Sequence, residues 1–107
     1  MNPGRLRHLV EIQTLTKTQN EFGEVVEDWS LFAKSWAEIK PLKASEYFAA
    51  FKERHEVTHR VVIRYIEGIK PFMRIIHKGR IFEITAIRNY LERNEYLELI
   101  CKEVFDG

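Results

Sequence analysis

The sequence predicts a mainly β protein, a small antiparallel β-barrel of about six strands with a short helix or long loop inserted around residues 43–55. Three observations carry this. Val57-Thr58-His59-Arg60-Val61-Val62-Ile63-Arg64-Tyr65 alternates: Val57, His59, Val61, Ile63 and Tyr65 share one side, while Thr58, Arg60 and Arg64 share the other, interrupted only by Val62. Successive side chains of a strand point to opposite faces, so this is a ribbon with an apolar floor and a basic roof, Arg60 and Arg64 about 13 Å apart. Further extended segments recur at regular spacing, divided by turn residues such as Asn20…Gly23 and Lys78-Gly79. Between Ser45 and Arg54 the pattern changes to one that suits a helix.

Taken in order, the first strand spans about Arg5 to Thr18, where Leu6, His8, Val10 and Ile12 alternate with Arg7, Leu9, Glu11 and Gln13. Asn20-Glu21-Phe22-Gly23 reverses the chain, since Asn and Gly tolerate positive φ. Val25-Val26 opens a second extended stretch, Asp28-Trp29-Ser30-Leu31-Phe32 reads as an irregular or helical interruption, and Ser35-Trp36-Ala37-Glu38-Ile39 resumes the strand. Pro41 ends it, because proline cannot donate to a ladder. Ser45 is a fitting N-cap for a short helix whose Tyr47, Phe48 and Phe51 form one aromatic stripe. About ten residues are too few for a helix to be stable alone, so the insertion should fold by docking on its own barrel or on a neighbour. After the 57–65 strand, Glu67–Pro71 turns and Phe72–His77 is extended. Lys78-Gly79 makes a tight hairpin and Arg80–Ile87 returns. Glu92-Arg93-Asn94 reverses once more, and Glu95–Val104 closes the sheet with Leu97, Leu99 and Cys101 inward.

The 107 residues make one domain, 1–107, able to bury a single modest core. A hydrophobic content of 45% with 31% charged residues suits a folded, soluble chain. No apolar run approaches the ~20 residues of a membrane span, and the start shows no signal-peptide pattern. The lone Cys101 excludes an intramolecular disulfide, suits a reducing cytoplasm and reads as a small inner-face side chain.

Net charge is +1 but unevenly spread: residues 52–80 carry eight basic against three acidic groups, and residues 81–107 three against six. That polarity either orients subunits head to tail, turns a basic surface towards nucleic acid, or disappears when folding interleaves the two segments.

No catalytic or cofactor pattern emerges. The glycines are scattered, with no phosphate-cradling loop. His55 and His59 have a metal-ligand spacing on a helix, but on a strand their rings stand about 13 Å apart, and no cysteine pair supports them. The expectation is no enzyme, metal or cofactor. Basic residues beside aromatics (Arg64-Tyr65, Arg80 near Phe82, Phe51-Lys52) resemble the stacking platforms of small single-stranded nucleic-acid-binding barrels. Near-neutral charge opposes that alternative, because tight phosphate binding needs many neutralised charges.

In order, Leu6-Arg7-His8, Ile12-Gln13, Gly23, Trp36-Ala37-Glu38-Ile39 with Pro41, Glu46 with Ala49-Ala50, Thr58-His59-Arg60-Val61, Ile63-Arg64-Tyr65, Ile69-Lys70-Pro71, Met73-Arg74-Ile75 and Gly79-Arg80-Ile81-Phe82-Glu83-Ile84 follow one pattern. Across nearly the whole chain it resembles the phage head–tail joining (head-closure, or stopper) proteins. It departs at Asn20–Gly23, where relatives have a more Gly-rich turn.

The resemblance implies a β-barrel with an inserted loop or helix, in a virion connector assembled in the host bacterial cytoplasm. It implies recruitment below a portal–adaptor ring after DNA packaging, assembly into a ring that retains the genome, and a docking surface for tail proteins. It supplies no catalytic residue. A tail-completion or terminator protein of the same gene cluster is the related alternative.

Within that picture Lys40, Lys43, Lys52 and Arg54 are the expected contacts to packaged double-stranded DNA, non-specific in kind. Tyr47, Phe48, Phe51, Arg60, Arg64 and Arg74 are the expected subunit or adaptor contacts. Free subunits are expected to be monomeric until they meet the head.

Overall fold

The computed structural model describes residues 3–42 and 57–105. Six antiparallel strands form a closed barrel in the order β1-β2-β3-β6-β5-β4. They are β1 (His8–Gln19), β2 (Val25–Pro41), β3 (His59–Arg64), β4 (Arg74–His77), β5 (Arg80–Asn89) and β6 (Tyr96–Val104). Pro3–Arg5 and Tyr90–Glu92 are single turns of 3-10 helix. The expected strand count and the antiparallel barrel both hold; the expected insertion lies outside the described residues.

Alternation fills the barrel. Val10 and Ile12 of β1, Ala37 of β2, Val61 and Ile63 of β3, Ile75 of β4, Phe82 and Ile84 of β5, and Leu97, Leu99 and Cys101 of β6 form the core with Met73. Register joins these residues across neighbouring strands: Val61 faces Ile39 and Leu99, and Ile63 faces Ala37 and Leu97. Phe82, fully buried, is the largest side chain among them. Burial in this apolar interior also pushes the Cys101 thiol up to about 12, so it stays protonated at neutral pH.

The hairpins follow turn chemistry. Lys78 (φ 48°) and Gly79 (φ 78°) both adopt positive φ between the paired His77 and Arg80. This two-residue connection matches the right-handed twist of its strands. At the first reversal, the Asn20 side-chain oxygen accepts from the N–H groups of Phe22 (2.9 Å) and Glu24 (3.0 Å). Gly23, at φ 77°, supplies the left-handed step there. Asn20 and Gly23 together therefore make this turn.

Several boundaries differ from expectation: β3 spans only His59–Arg64 of the expected 57–65 strand, and β5 runs on to Asn89. β1 starts at His8, because Pro3–Arg5 coil into the 3-10 turn. The fourth strand starts at Arg74 rather than Phe72, whose φ of 72° takes it out of extended geometry. The expected interruption at Asp28–Phe32 is absent: β2 runs unbroken, with Asp28, Trp29, Ser30 and Leu31 opposite Thr16, Leu15, Thr14 and Gln13. The irregularity is a single bulge at Phe32, where the register shifts between Ile12 and Gln13. Cross-strand pairing overrides the weak local preferences of Asp28 and Ser30.

Candidate functional site

Beyond the barrel, β1 and β2 continue as a two-stranded arm. β1 pairs with β4 only through Glu11–Gln13, and β2 pairs with β3 only through Ala37–Pro41. From Thr14 to Gln19 and from Val25 to Ser30 the strands pair only with each other among the described residues. Six residues per strand give a reach of about 20 Å. The molecule is accordingly elongated, 49 × 29 × 27 Å. The sequence hints at this: Thr14-Leu15-Thr16-Lys17-Thr18 has strand-forming residues yet no continuous apolar face.

Both faces of the arm meet solvent. On one, Thr14, Thr16 and Thr18 lie opposite Ser30, Asp28 and Val26; on the other, Leu15, Lys17 and Gln19 lie opposite Trp29, Glu27 and Val25. Lys17 Nζ approaches Glu27 Oε1 at 3.5 Å, both groups well exposed. Leu15, Val25, Val26 and, at the tip, Phe22 are exposed apolar side chains. A lone two-stranded ribbon is marginal in water, so the arm needs support at its root.

That support comes from β4. The Arg74 guanidinium stacks on the Trp29 ring at 4.2 Å from its centroid and donates through Nε to Gln13 Oε1 at 2.7 Å. Arg74, expected at a subunit or adaptor contact, is thus engaged within its own chain as a brace. Trp29, which carries the other half of the brace, was not singled out by sequence because it fell in the expected interruption.

A second support lies across the bulge. Phe32 packs towards Gly68 so closely that a Cβ there would stand 3.1 Å from the ring. Leu15, Phe32 and Phe72 then border an open cleft of about 370 Å³ at the arm's root. Phe72 is 77% exposed despite its left-handed backbone, an aromatic held in solvent by the loop before β4.

The remaining expected residues separate. Arg60 borders a cleft of about 260 Å³ with Arg5, Glu38, Lys40, Val62, Tyr90 and Glu98. Lys40 reaches Glu38 at 3.2 Å. Arg64 lies with its guanidinium 5.8 Å from the Tyr96 ring centroid. The basic roof expected from the 57–65 alternation is therefore a mixed-charge wall, because β2 and β6 insert Glu38 and Glu98 beside it. The charge asymmetry along the chain is likewise interleaved by pairing. Arg80 donates through Nε and an Nη to the Glu103 carboxylate at 2.8 and 3.0 Å. Lys43, Tyr47, Phe48, Phe51, Lys52 and Arg54 lie outside the described residues, as does His55.

At the barrel end holding Arg80 and Glu103, a polar network surrounds His59. The Thr58 hydroxyl oxygen accepts from the Glu103 N–H at 2.8 Å and lies 2.8 Å from His59 Nδ1. His59 Nε2 faces an Arg80 Nη at 3.5 Å, and its ring meets Phe82 edge-on at 5.1 Å. A neutral ring donating from Nδ1 satisfies every partner. Burial lowers the His59 pKa, with Arg80 adding to the effect and Glu103 opposing it. The Arg80 hydrogen bond holds the Glu103 carboxyl below its usual range. Among the described residues no three His, Cys, Asp or Glu side chains converge as metal ligands. No helix there is long and apolar enough to cross a membrane.

Comparison with known proteins agrees with this architecture. Residues 1–104 match the family model of the phage head completion protein. Head completion protein gp7 of Enterobacteria phage HK97 is 28% identical over 107 residues, covering 95% of this chain and 96% of the relative. A Shigella flexneri 2a protein solved in solution superposes with a TM-score of 0.82 at 30% identity, over the full length of both chains. A chain from the virion of a native gene transfer agent particle shares the fold, with a TM-score of 0.63 at 19% identity over 94% of this chain and 96% of that one. The chain belongs to the phage head completion protein family.

Proposed function

We propose that the chain is a structural joining protein of the head–tail connector. It binds below the portal–adaptor complex once DNA is packaged, assembles there into a ring that helps retain the genome, and presents the surface to which the tail attaches. The observation that carries this reading is the arm. A closed barrel has no sheet edge to offer a partner, yet this one extends two strands about 20 Å beyond its wall with exposed apolar side chains. Such a projection suits subunit assembly, and family membership supplies the setting.

A ring of identical subunits uses two different faces of each protomer, one on either side of every junction. Around a DNA exit channel it also multiplies each basic group by the copy number, so a weak monomeric field becomes strong without base recognition. Lys40, Lys43, Lys52 and Arg54 are assigned to that channel. Lys40 stands near the end of β2, close in sequence to Lys43. Replacing all four by Ala should give particles that package DNA and then lose it. Normal retention would sink the channel assignment, and tailed, DNA-filled particles forming normally in the absence of the chain would sink the joining role.

A further inference from the structure

We propose that the arms of neighbouring copies pair edge to edge, the Leu15–Gln19 edge of one against the Val25–Trp29 edge of the next, so that a ring of copies joins its arms into one continuous antiparallel sheet. The proposal rests on the ring reading above and names the partner of the arm: a second copy of this chain.

Three observations lead there. First, both outer edges of the arm lack a strand partner among the described residues, whereas the barrel below is closed. Open edges of this kind are templates for another strand. The segments concerned hold no proline and, outward of Phe32, no bulge to turn a partner away.

Second, the two edges differ, and their difference is complementary. Within one arm Lys17 faces Glu27, Leu15 faces Trp29 and Thr18 faces Val26. Repeating that register between copies puts each Lys17 between two Glu27 carboxylates, its own and its neighbour's. It also puts Leu15 between two Trp29 rings, covering apolar surface that is now exposed. Pairing β2 with β2 would instead crowd Glu27 and Asp28 against their counterparts, and like charges across strands are unfavourable. The chemistry selects the β1-to-β2 junction.

Third, that junction is heterologous and propagates in one direction. When the rotation closes it yields a ring, and closure leaves no free edge. Each copy adds one ascending and one descending strand, so the joined sheet stays antiparallel throughout.

The test uses two single-cysteine variants, Thr18→Cys and Val26→Cys, co-expressed during particle assembly in the phage or prophage that encodes the chain. Purified particles are oxidised mildly and the chain is read by immunoblot. Cys101 is fully buried and takes no part. Both variants together should give a disulfide-linked dimer, and either alone should give none.

Adding Lys17→Glu to the Thr18→Cys chain should reduce the dimer several-fold. Adding Glu27→Lys to the Val26→Cys chain should restore it, a rescue that only a contact between copies explains. Chain present in particles with no dimer, or with self-linking of one variant, overturns the arm pairing and leaves the joining role standing. Chain absent from particles overturns the joining role, and the pairing with it.

Discussion

If Arg74 braces the arm, Arg74→Ala should loosen it selectively. The substitution removes a ring stacking at 4.2 Å and a charged hydrogen bond of 2.7 Å. Stacking of a cation on an aromatic ring contributes about 0.5–1 kcal/mol at exposed sites. A hydrogen bond to a charged group contributes about 1.5–3 kcal/mol. Arg74, Trp29 and Gln13 are all half-buried, so solvent competes and the lower ends apply.

The total is about 2 kcal/mol, roughly a 30-fold change in an opening equilibrium at 1.4 kcal/mol per tenfold. Amide hydrogen exchange read residue by residue is the assay. Amides of residues 14–19 and 25–31 should exchange up to roughly 30-fold faster. A double-mutant cycle with Trp29→Ala should return a coupling of about 0.5–1 kcal/mol. Arm amides that keep their protection while the barrel alone weakens would refute the brace.

Acidification should weaken the protein in two steps. His59 has a lowered pKa in the fold, so the unfolded chain takes up the proton first. Its contribution is complete above the ordinary histidine value and falls as pH drops from there through the folded value. Glu103, also lowered, adds a second loss beneath the usual carboxylate range. Urea midpoints across pH should show both, and His59→Gln should remove the upper step alone; an unchanged upper step would contradict the assignment. Gly79→Val should cost about 1–2 kcal/mol in the same assay. A Cβ at Gly79 meets nothing within 4 Å, so the cost is backbone strain at φ 78° rather than a clash.

The barrel was legible because its signals are local and repeated. The alternation through Val61 and Ile63, the Lys78-Gly79 hairpin and the inward Leu97, Leu99 and Cys101 each state a face or a reversal, and register follows. The arm was half legible: its first strand and the Asn20–Gly23 reversal were expected, but Asp28 and Ser30 have poor strand preferences and are held extended by pairing with Thr16 and Thr14 across the ribbon. The charge pattern left three outcomes open for a related reason, and interleaving is the one the sheet produces. The basic and acidic stretches are far apart in sequence but adjacent in the sheet, where Arg80 meets Glu103. Arg74 illustrates the first limit: nothing local in the sequence indicates that its guanidinium stacks on Trp29.

Electron cryomicroscopy of the intact head–tail junction tests the central claim most directly. The account expects a collar of this chain in which adjacent arms lie at strand-pairing distance, about 4.8 Å apart, with Lys17 of each copy beside Glu27 of the next. Arms standing apart in the collar, or a single copy with no collar at all, would contradict it.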